Sequence, residues 1–348
     1  MTAHPAPSAL PTPQATARVH EPRREDCPWC GSARLRNRLR TGDLRQYRPG
    51  SFTVDECRDC GHTFQNPRLT VEGLALYHRT VRGAPRDQVA DALLASRSSR
   101  RRHRSAARAM RRFGEPESWL DVGTGHARFP ATAREFFPYT AFDGLDPTPR
   151  VVRARTADRV EEAHVGRLTD PRVTTALRAR YDVVSMLHHL EGTADPRAEL
   201  RAALSVLRPG GHLLVETLNP SSAFAALLGR WWLAYDQPRH LHLLPPRNLR
   251  AELETLGCAI VVLDHRPVHV PHDLSGALAL ALSHTLPAPD TPWRAIPPPL
   301  AQQHLREALL RAGIPLVAAA TVADHVLAPL ARRTRLANTY RLIARKAG

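Results

Sequence analysis

A single lysine, Lys346, stands among 49 basic residues, so the formal net charge of +16 is carried almost wholly by arginine. Such a bias can mark codon usage as readily as a binding surface. No run of about 18 uninterrupted apolar residues occurs, which argues against a membrane-spanning helix. Residues 1–20, MTAHPAPSALPTPQATARVH, lack both an apolar core and a clustered positive start. They read as part of a disordered tail over 1–24 rather than as a signal peptide, and a cytoplasmic protein is expected. With five cysteines and no sign of secretion, disulfides are not expected. Two nucleotide signatures are also missing. No glycine-rich loop ends in Gly-Lys-Ser/Thr, and a G-x-G-x-x-G begun at Gly123 runs through Gly125 but meets Arg128 at its third glycine. The first absence excludes a phosphate-binding loop, and the second weakens a nicotinamide site.

Four of the cysteines form two knuckles, CPWCG at 27–31 and CRDCG at 57–61, with 26 residues between the pairs. Each knuckle sets two sulfurs on one tight turn, and the glycine after the second cysteine permits the positive φ that aims backbone amides at the thiolates. Four thiolates suit a closed structural zinc site with no position left for water. Cys27, Cys30, Cys57 and Cys60 are the expected ligands in a zinc ribbon over 25–80, with His62 a neighbour of the site. Cys258 heads an apolar strand and reads as a small buried hydrophobe.

Residues 81–112 hold 10 Arg against 2 acids, half of the chain's net charge. They include RSSRRRHRSAARAMRR (97–112), whose composition predicts a solvated surface helix within a basic linker over 81–117. The other expectation for it is a patch for an acidic partner: RNA, a phosphorylated substrate or an anionic membrane.

From residue 118 strands and helices alternate: SWLDV, then a helix; TAFDGLD, then a helix; EEAHV; YDVVSML; a helix DPRAELRAALSVLRPGG with a glycine stop; and HLLVETLN. That rhythm predicts an α/β, doubly wound parallel sheet with its ligand at the carboxyl ends of the strands. Asp121 ends the first strand, Gly123 and Gly125 follow it, and Asp146 ends the second strand 25 residues later. An acid before such a turn suits a cofactor with an ammonium and no pyrophosphate, and Asp146 is placed to accept from two ribose hydroxyls.

These motifs, together with YDVVSMLHHLEGTADPRAEL, LRPGGHLLVETLN and DQPRHLHLLPPRNLRAELETLGC, resemble the class I S-adenosylmethionine-dependent methyltransferases. More narrowly they are similar to the bacterial, secondary-metabolism group with an N-terminal zinc-binding region. The resemblance spans nearly everything from Cys27 onward. It implies S-adenosylmethionine as cofactor, a Rossmann-like seven-stranded sheet over 118–348, AIVVLD as its sixth strand, and NTYRLIARK slotted antiparallel between the fifth and sixth. It also implies Arg167 and Leu168 as adenine neighbours. Two departures stand out: Ala127 replaces a third glycine, and Leu190-Glu191-Gly192 replaces a Leu-Glu-His triplet, so no general-base role carries over to that position.

An acceptor whose proton must be removed needs a base. His188, His189 and Glu191 end the fourth strand, and WWLAYDQPRHLHLL offers Trp231, Trp232, Tyr235, Arg239 and His242 as an orienting pocket, with His240 as a further candidate base. Residues 268–336 predict a helical cap, with a dimer or peripheral membrane contact as the other possibility. The expected reaction is methyl transfer to a small molecule or short peptide. The alternative is an RNA base methyltransferase gripping RNA through the ribbon and the arginine helix. The acceptor atom and the oligomeric state stay open.

Overall fold

The computed structural model describes residues 19–78, 97–265, 268, 270–294, 296–331 and 336–348. Most of the expected tail (1–18), the last two residues of the expected ribbon (79–80) and the first part of the basic linker (81–96) therefore lie outside the described residues. The chain divides into two compact units that interleave along the sequence.

The first unit gathers Met1–Leu94, Ser221–Leu241 and Pro271–Leu330. Its strands β1 (Leu35–Thr41), β2 (Phe52–Cys57) and β3 (Thr63–Gln65) form an antiparallel meander that carries the cysteine knuckles. The linear reading set the ribbon apart from the 268–336 segment, but long-range polar contacts fold them together. Arg306 Nη2 donates to Tyr47 Oη at 3.1 Å, His284 Nε2 to Leu44 O at 2.8 Å, and the Tyr47 ring stacks on His284; in the same unit Arg239 Nη2 donates to Asp43 Oδ2 and Arg45 Nη1 to Asp236 Oδ2, each at 2.7 Å. Asp324, which breaks the apolar pattern of the helix Leu300–Ala331, caps the start of the helix Asp273–Thr285. Its carboxylate accepts from the backbone N–H of Leu274 (3.0 Å) and Ser275 (2.9 Å). By length and composition Leu300–Ala331 is apolar enough to cross a membrane, with 22% of its most apolar window buried.

The second unit comprises Ala95–Pro220, His242–Val270 and Ala331–Gly348. Its strands are β4 (Ser118–Val122), β5 (Ala141–Asp146), β6 (Ala163–Val165), β7 (Tyr181–Leu187), β8 (Leu207–Leu218), a two-residue β9 (His242–Leu243), β10 (Cys258–Asp264) and β11 (Thr339–Lys346). Seven of these make one sheet in the order β10-β11-β8-β7-β4-β5-β6. Pairing is parallel from β8 to β6, and β11 runs antiparallel between β8 and β10, as the resemblance implied. The helix before β8 ends at Val206, and β8 already begins at Leu207. The sequence had extended that helix through Pro209 and Gly210. A residue preceding proline is disfavoured in helical geometry, and proline has no N–H to continue the ladder, so Arg208-Pro209 stops it earlier.

The core of this unit is aromatic. Trp119 is fully buried among Phe129, Phe137 and Phe142 at centroid distances of 5.6, 5.5 and 5.3 Å, and its Nε1 donates to Ser185 Oγ at 2.9 Å. Ala106, Ala107 and Met110 of the basic helix Arg97–Met110 join that same cluster. This narrow small-residue stripe makes the helix part of the sheet unit, where the linear reading had a linker. Three of its outer arginines have local partners: Arg100 and Arg104 pair with Glu135, and Arg104 and Arg108 lie over Phe136.

Candidate functional site

The cysteine cluster is preorganised. Cys27 Sγ lies 3.7 Å from Cys60 Sγ, Cys30 Sγ lies 3.6 Å from Cys57 Sγ, and all four sulfurs fall within 4.8 Å of one another. A tetrahedral zinc with bonds of about 2.3 Å separates its sulfurs by about 3.8 Å, so the donor set fits such an ion without rearrangement. Both knuckle glycines take the left-handed region, Gly31 at φ +74° and Gly61 at φ +71°. The backbone N–H of Trp29 donates to Cys27 Sγ at 3.4 Å, and His62 Nδ1 lies 3.7 Å from the same sulfur, which makes His62 a neighbour of the cluster. Burial opposes ionisation of Cys57, yet hydrogen bonds from the Cys60 and Asp59 amides outweigh it and bring the thiol down to about 7. Among the described residues Asp143, Glu162 and His164 also sit within metal-binding reach. There, however, Arg180 pairs with Glu162 at 2.8 Å and lies 3.6 Å from Asp143, which already supplies the positive charge.

The second site is built at the carboxyl ends of β4, β5 and β7. After Val122 the chain turns through Gly123 (φ +73°), Gly125 (φ +55°) and Ala127 (φ +51°) before the short helix Arg128–Ala133. Gly123 N donates to Leu145 O at 2.8 Å, tying the turn to β5. A Cβ at Gly123 would stand 2.5 Å from His189 Nδ1, whereas one at Gly125 would meet nothing within 4 Å. The turn is thus packed on one side and open on the other, a cradle that a side chain at Gly125 would obstruct.

Two carboxylates flank the cradle. Asp146 is buried: its Oδ2 accepts from Gly125 N at 2.9 Å, and its Oδ1 from Thr148 N (2.8 Å) and Thr148 Oγ1 (2.5 Å). Asp121 accepts from Ser185 Oγ at 2.6 Å. Burial pushes the Asp121 carboxyl up to about 6, against the hydrogen bond from Ser185 that pulls it down. A buried acid with a raised pKa calls for a cation, and an ammonium placed there would restore its charge. Of the implied adenine neighbours, Arg167 is exposed and Leu168 is buried.

The histidine pair follows β7. Strand alternation would send one ring into the sheet, but His188 sits at φ +54° and breaks the alternation. His188 Nδ1 meets Glu191 Oε1 at 3.1 Å, and that same oxygen accepts from Leu218 N at 3.0 Å. His188 Nε2 is 3.2 Å from Arg102 Nη1. His189 packs against Gly123, and its Nε2 is 3.5 Å from Glu199 Oε2. Arg102 comes from the basic helix, and its neighbour His103 packs edge-on against Phe129. Burial, together with the charges of Arg102 and Arg128, holds the His103 imidazole down at about 4. The sequence reading missed Arg102, because a run of six basic residues in 97–104 carries no mark of which one faces inward.

The expected acceptor residues behave differently. Trp232 and Tyr235 are buried edge to face, and Trp232 Nε1 donates to Asp273 Oδ1 at 2.6 Å. Arg239 lies between Asp43 and Asp236. Trp231 is half-buried beneath Arg230, whose guanidinium carbon is 4.7 Å from the ring centroid, and His240 Nδ1 donates to Ala234 O at 2.8 Å. These five belong to the first unit. His242 belongs to the second, is buried, and has its Nε2 3.3 Å from Ala194 O.

Residues 96–263 match the family model described as a methyltransferase domain. The chain is 29% identical over 126 residues to a ubiquinone biosynthesis O-methyltransferase of Alkalilimnicola ehrlichii, a match covering 35% of this chain and 51% of that protein. It is 28% identical over 134 residues to a malonyl-[acyl-carrier protein] O-methyltransferase of Hahella chejuensis, covering 38% of this chain and 47% of that one. The chain thus spans about half the length of these relatives. Among solved structures, a SAM-dependent methyltransferase from Archaeoglobus fulgidus aligns with a TM-score of 0.43 at 16% identity, over 74% of this chain and 97% of that one. Residues 96–263 thus carry a methyltransferase domain, and the seven-stranded sheet with its glycine turn has the fold of the class I S-adenosylmethionine-dependent methyltransferases.

Proposed function

We propose that the protein transfers a methyl group from S-adenosylmethionine to a hydroxyl of a small molecule, in keeping with a role in secondary metabolism. The observation that carries this is the turn at Gly123–Ala127, closed on the His189 side, open at Gly125, and flanked by Asp121 and Asp146. The cofactor, when bound, supplies an electrophilic methyl on a sulfonium. Asp121 would hold its ammonium, Asp146 would orient its ribose, and the Gly125 backbone would let its adenosine approach. His188, backed by Glu191, stands beside the turn as a group able to accept a proton. We also infer that Cys27, Cys30, Cys57 and Cys60 hold a structural zinc ion, since the sulfur separations suit a tetrahedral site with all positions filled.

The O-methyl chemistry named for the two curated relatives supports an oxygen acceptor over a base amine. The arginine helix supports a small molecule over RNA, because its Arg100, Arg104 and Arg108 are engaged with Glu135 and Phe136 and its Arg102 faces the strand ends. The test is calorimetry with S-adenosylhomocysteine, followed by labelled S-adenosylmethionine offered to cell extract separated into RNA, peptide and small-metabolite fractions. Micromolar binding with label in the last fraction is expected. Absence of S-adenosylhomocysteine binding, or label confined to RNA, overturns the reading.

A further inference from the structure

His188 and Arg102 contact each other in a way that neither side chain's ordinary role explains. With Nδ1 facing the Glu191 carboxylate and Nε2 facing a guanidinium, the imidazole must be neutral, with its proton on Nδ1 and its Nε2 lone pair accepting from Arg102. The nitrogen that would serve as the base is therefore capped. Arg102 is a costly cap, because burial disfavours its charge and the carboxylates Glu216 and Glu191 only partly compensate. Glu216 is itself committed to the buried Arg341, whose Nε donates to it at 2.7 Å. Of its five donors Arg102 uses one on His188, and the others make no hydrogen bond among the described residues.

Resting on the methyltransferase reading, we propose that Arg102 is the acceptor-recognition residue: it binds an anionic oxygen group, carboxylate or phosphate, borne by the acceptor close to the hydroxyl to be methylated, and in doing so uncovers His188 Nε2. The anion offers the guanidinium two oxygens where the imidazole offers one lone pair, and a charge-assisted pair is stronger than a hydrogen bond to a neutral nitrogen. Once Nε2 is free, the acceptor O–H bond breaks. Its proton passes to Nε2 and its electron pair stays on oxygen, while the imidazolium is held by Glu191. The anion thereby selects the acceptor and switches on the base, and a neutral alcohol of the same shape leaves His188 capped.

The test needs no knowledge of the natural acceptor. In full-length protein labelled with 15N-histidine, the His188 ring signals are assigned by their loss in His188→Asn, and inorganic phosphate and benzoate are titrated separately at fixed neutral pH. At least one anion is expected to shift Nε2 by several ppm as the Arg102 hydrogen bond is lost. In Arg102→Gln the free-protein signal should start near the uncapped position and the anion response should weaken at least tenfold, with Arg102→Lys in between. A benzoate response alone assigns a carboxylate, and a phosphate response alone a phosphate. An Nε2 signal unmoved by either anion, or moved equally in Arg102→Gln, overturns the proposal. S-adenosylhomocysteine affinity, measured alongside, is expected to be equal in wild type and Arg102→Gln. Its absence from both would sink the methyltransferase reading, whereas its presence with an unresponsive His188 would sink this proposal alone.

Discussion

The cysteine cluster and the strand-end cradle both gather four or more polar groups, and they differ in what is left open. Around Cys27, Cys30, Cys57 and Cys60 the sulfurs face one another at bonding separation for a single ion, with backbone amides and His62 packed behind them. Around Gly125 there is open space, Asp121 is an acid held back from ionising, and His188 carries its lone pair against a cation. A site that serves stability satisfies its groups internally. A site that serves chemistry leaves groups that only a ligand completes.

Breaking the cluster should have the largest effect and should leave the cradle intact. Cys57→Ser is expected to lower bound zinc from about one equivalent to below about half, by elemental analysis. It should also destabilise the first unit by several kcal/mol, because thiolate–zinc binding is folding free energy. S-adenosylhomocysteine should still bind. Loss of that binding in parallel with zinc would erase the distinction between the two sites.

Filling the cradle comes next. Gly123→Ala places a Cβ 2.5 Å from His189 Nδ1 at φ +73°, and Asp146→Ala frees Gly125 N and Thr148. Each should weaken S-adenosylhomocysteine by roughly 10- to 100-fold, about 1.5–3 kcal/mol, with zinc content unchanged. Calorimetry showing less than a threefold loss in both variants would count against the turn as the binding site.

The raised pKa of Asp121 sharpens the contrast through pH. An ammonium ligand needs the ionised carboxylate, so affinity should fall about tenfold per unit as pH drops below about 6. The free protein shows the opposite trend. Because the folded value of about 6 lies above 3.8, this contribution to stability is fully present below about 3.8 and is lost as pH rises through about 6, on the order of 3 kcal/mol in all. Asp121→Asn should flatten both dependences, and a variant that keeps the wild-type slopes would assign them to another group.

The smallest effect concerns the outside of the basic helix. Replacing Arg100 and Arg104 by Gln removes exposed pairs with Glu135 and should cost less than about 1 kcal/mol, with no change in ligand binding. A larger loss of binding from these two than from Arg102→Gln would reverse the assignment of the helix's inner and outer faces.

Features set by neighbours along the chain were legible in the sequence. The two C-x-x-C-G knuckles, the Asp-x-Gly-x-Gly turn, the acid ending β5 and the strand–helix rhythm each depend on a few consecutive residues, and their spacing fixes their geometry. The early end of the helix before β8 was equally local, but there the restriction imposed by proline on Arg208 outweighed the glycine signal. His188 was legible as a candidate base, while its left-handed backbone, which turns the pair out of strand alternation, was not.

What only the tertiary structure decided involves partners far apart in sequence. Arg102 meets His188 across 86 residues, Arg239 meets Asp43 across 196, and Tyr47 stacks on His284. The first contact turns one arginine of a basic run into part of the strand-end site. The other two fold the expected acceptor stretch and the late helices with the ribbon instead of leaving them to the sheet unit. Sequence periodicity tells which face of a helix is apolar, and here Ala106, Ala107 and Met110 were enough to seat the helix. It does not tell what that face will be pressed against, and so which of several identical charged side chains is carried inward beside a histidine is settled only when the sheet closes on the helix.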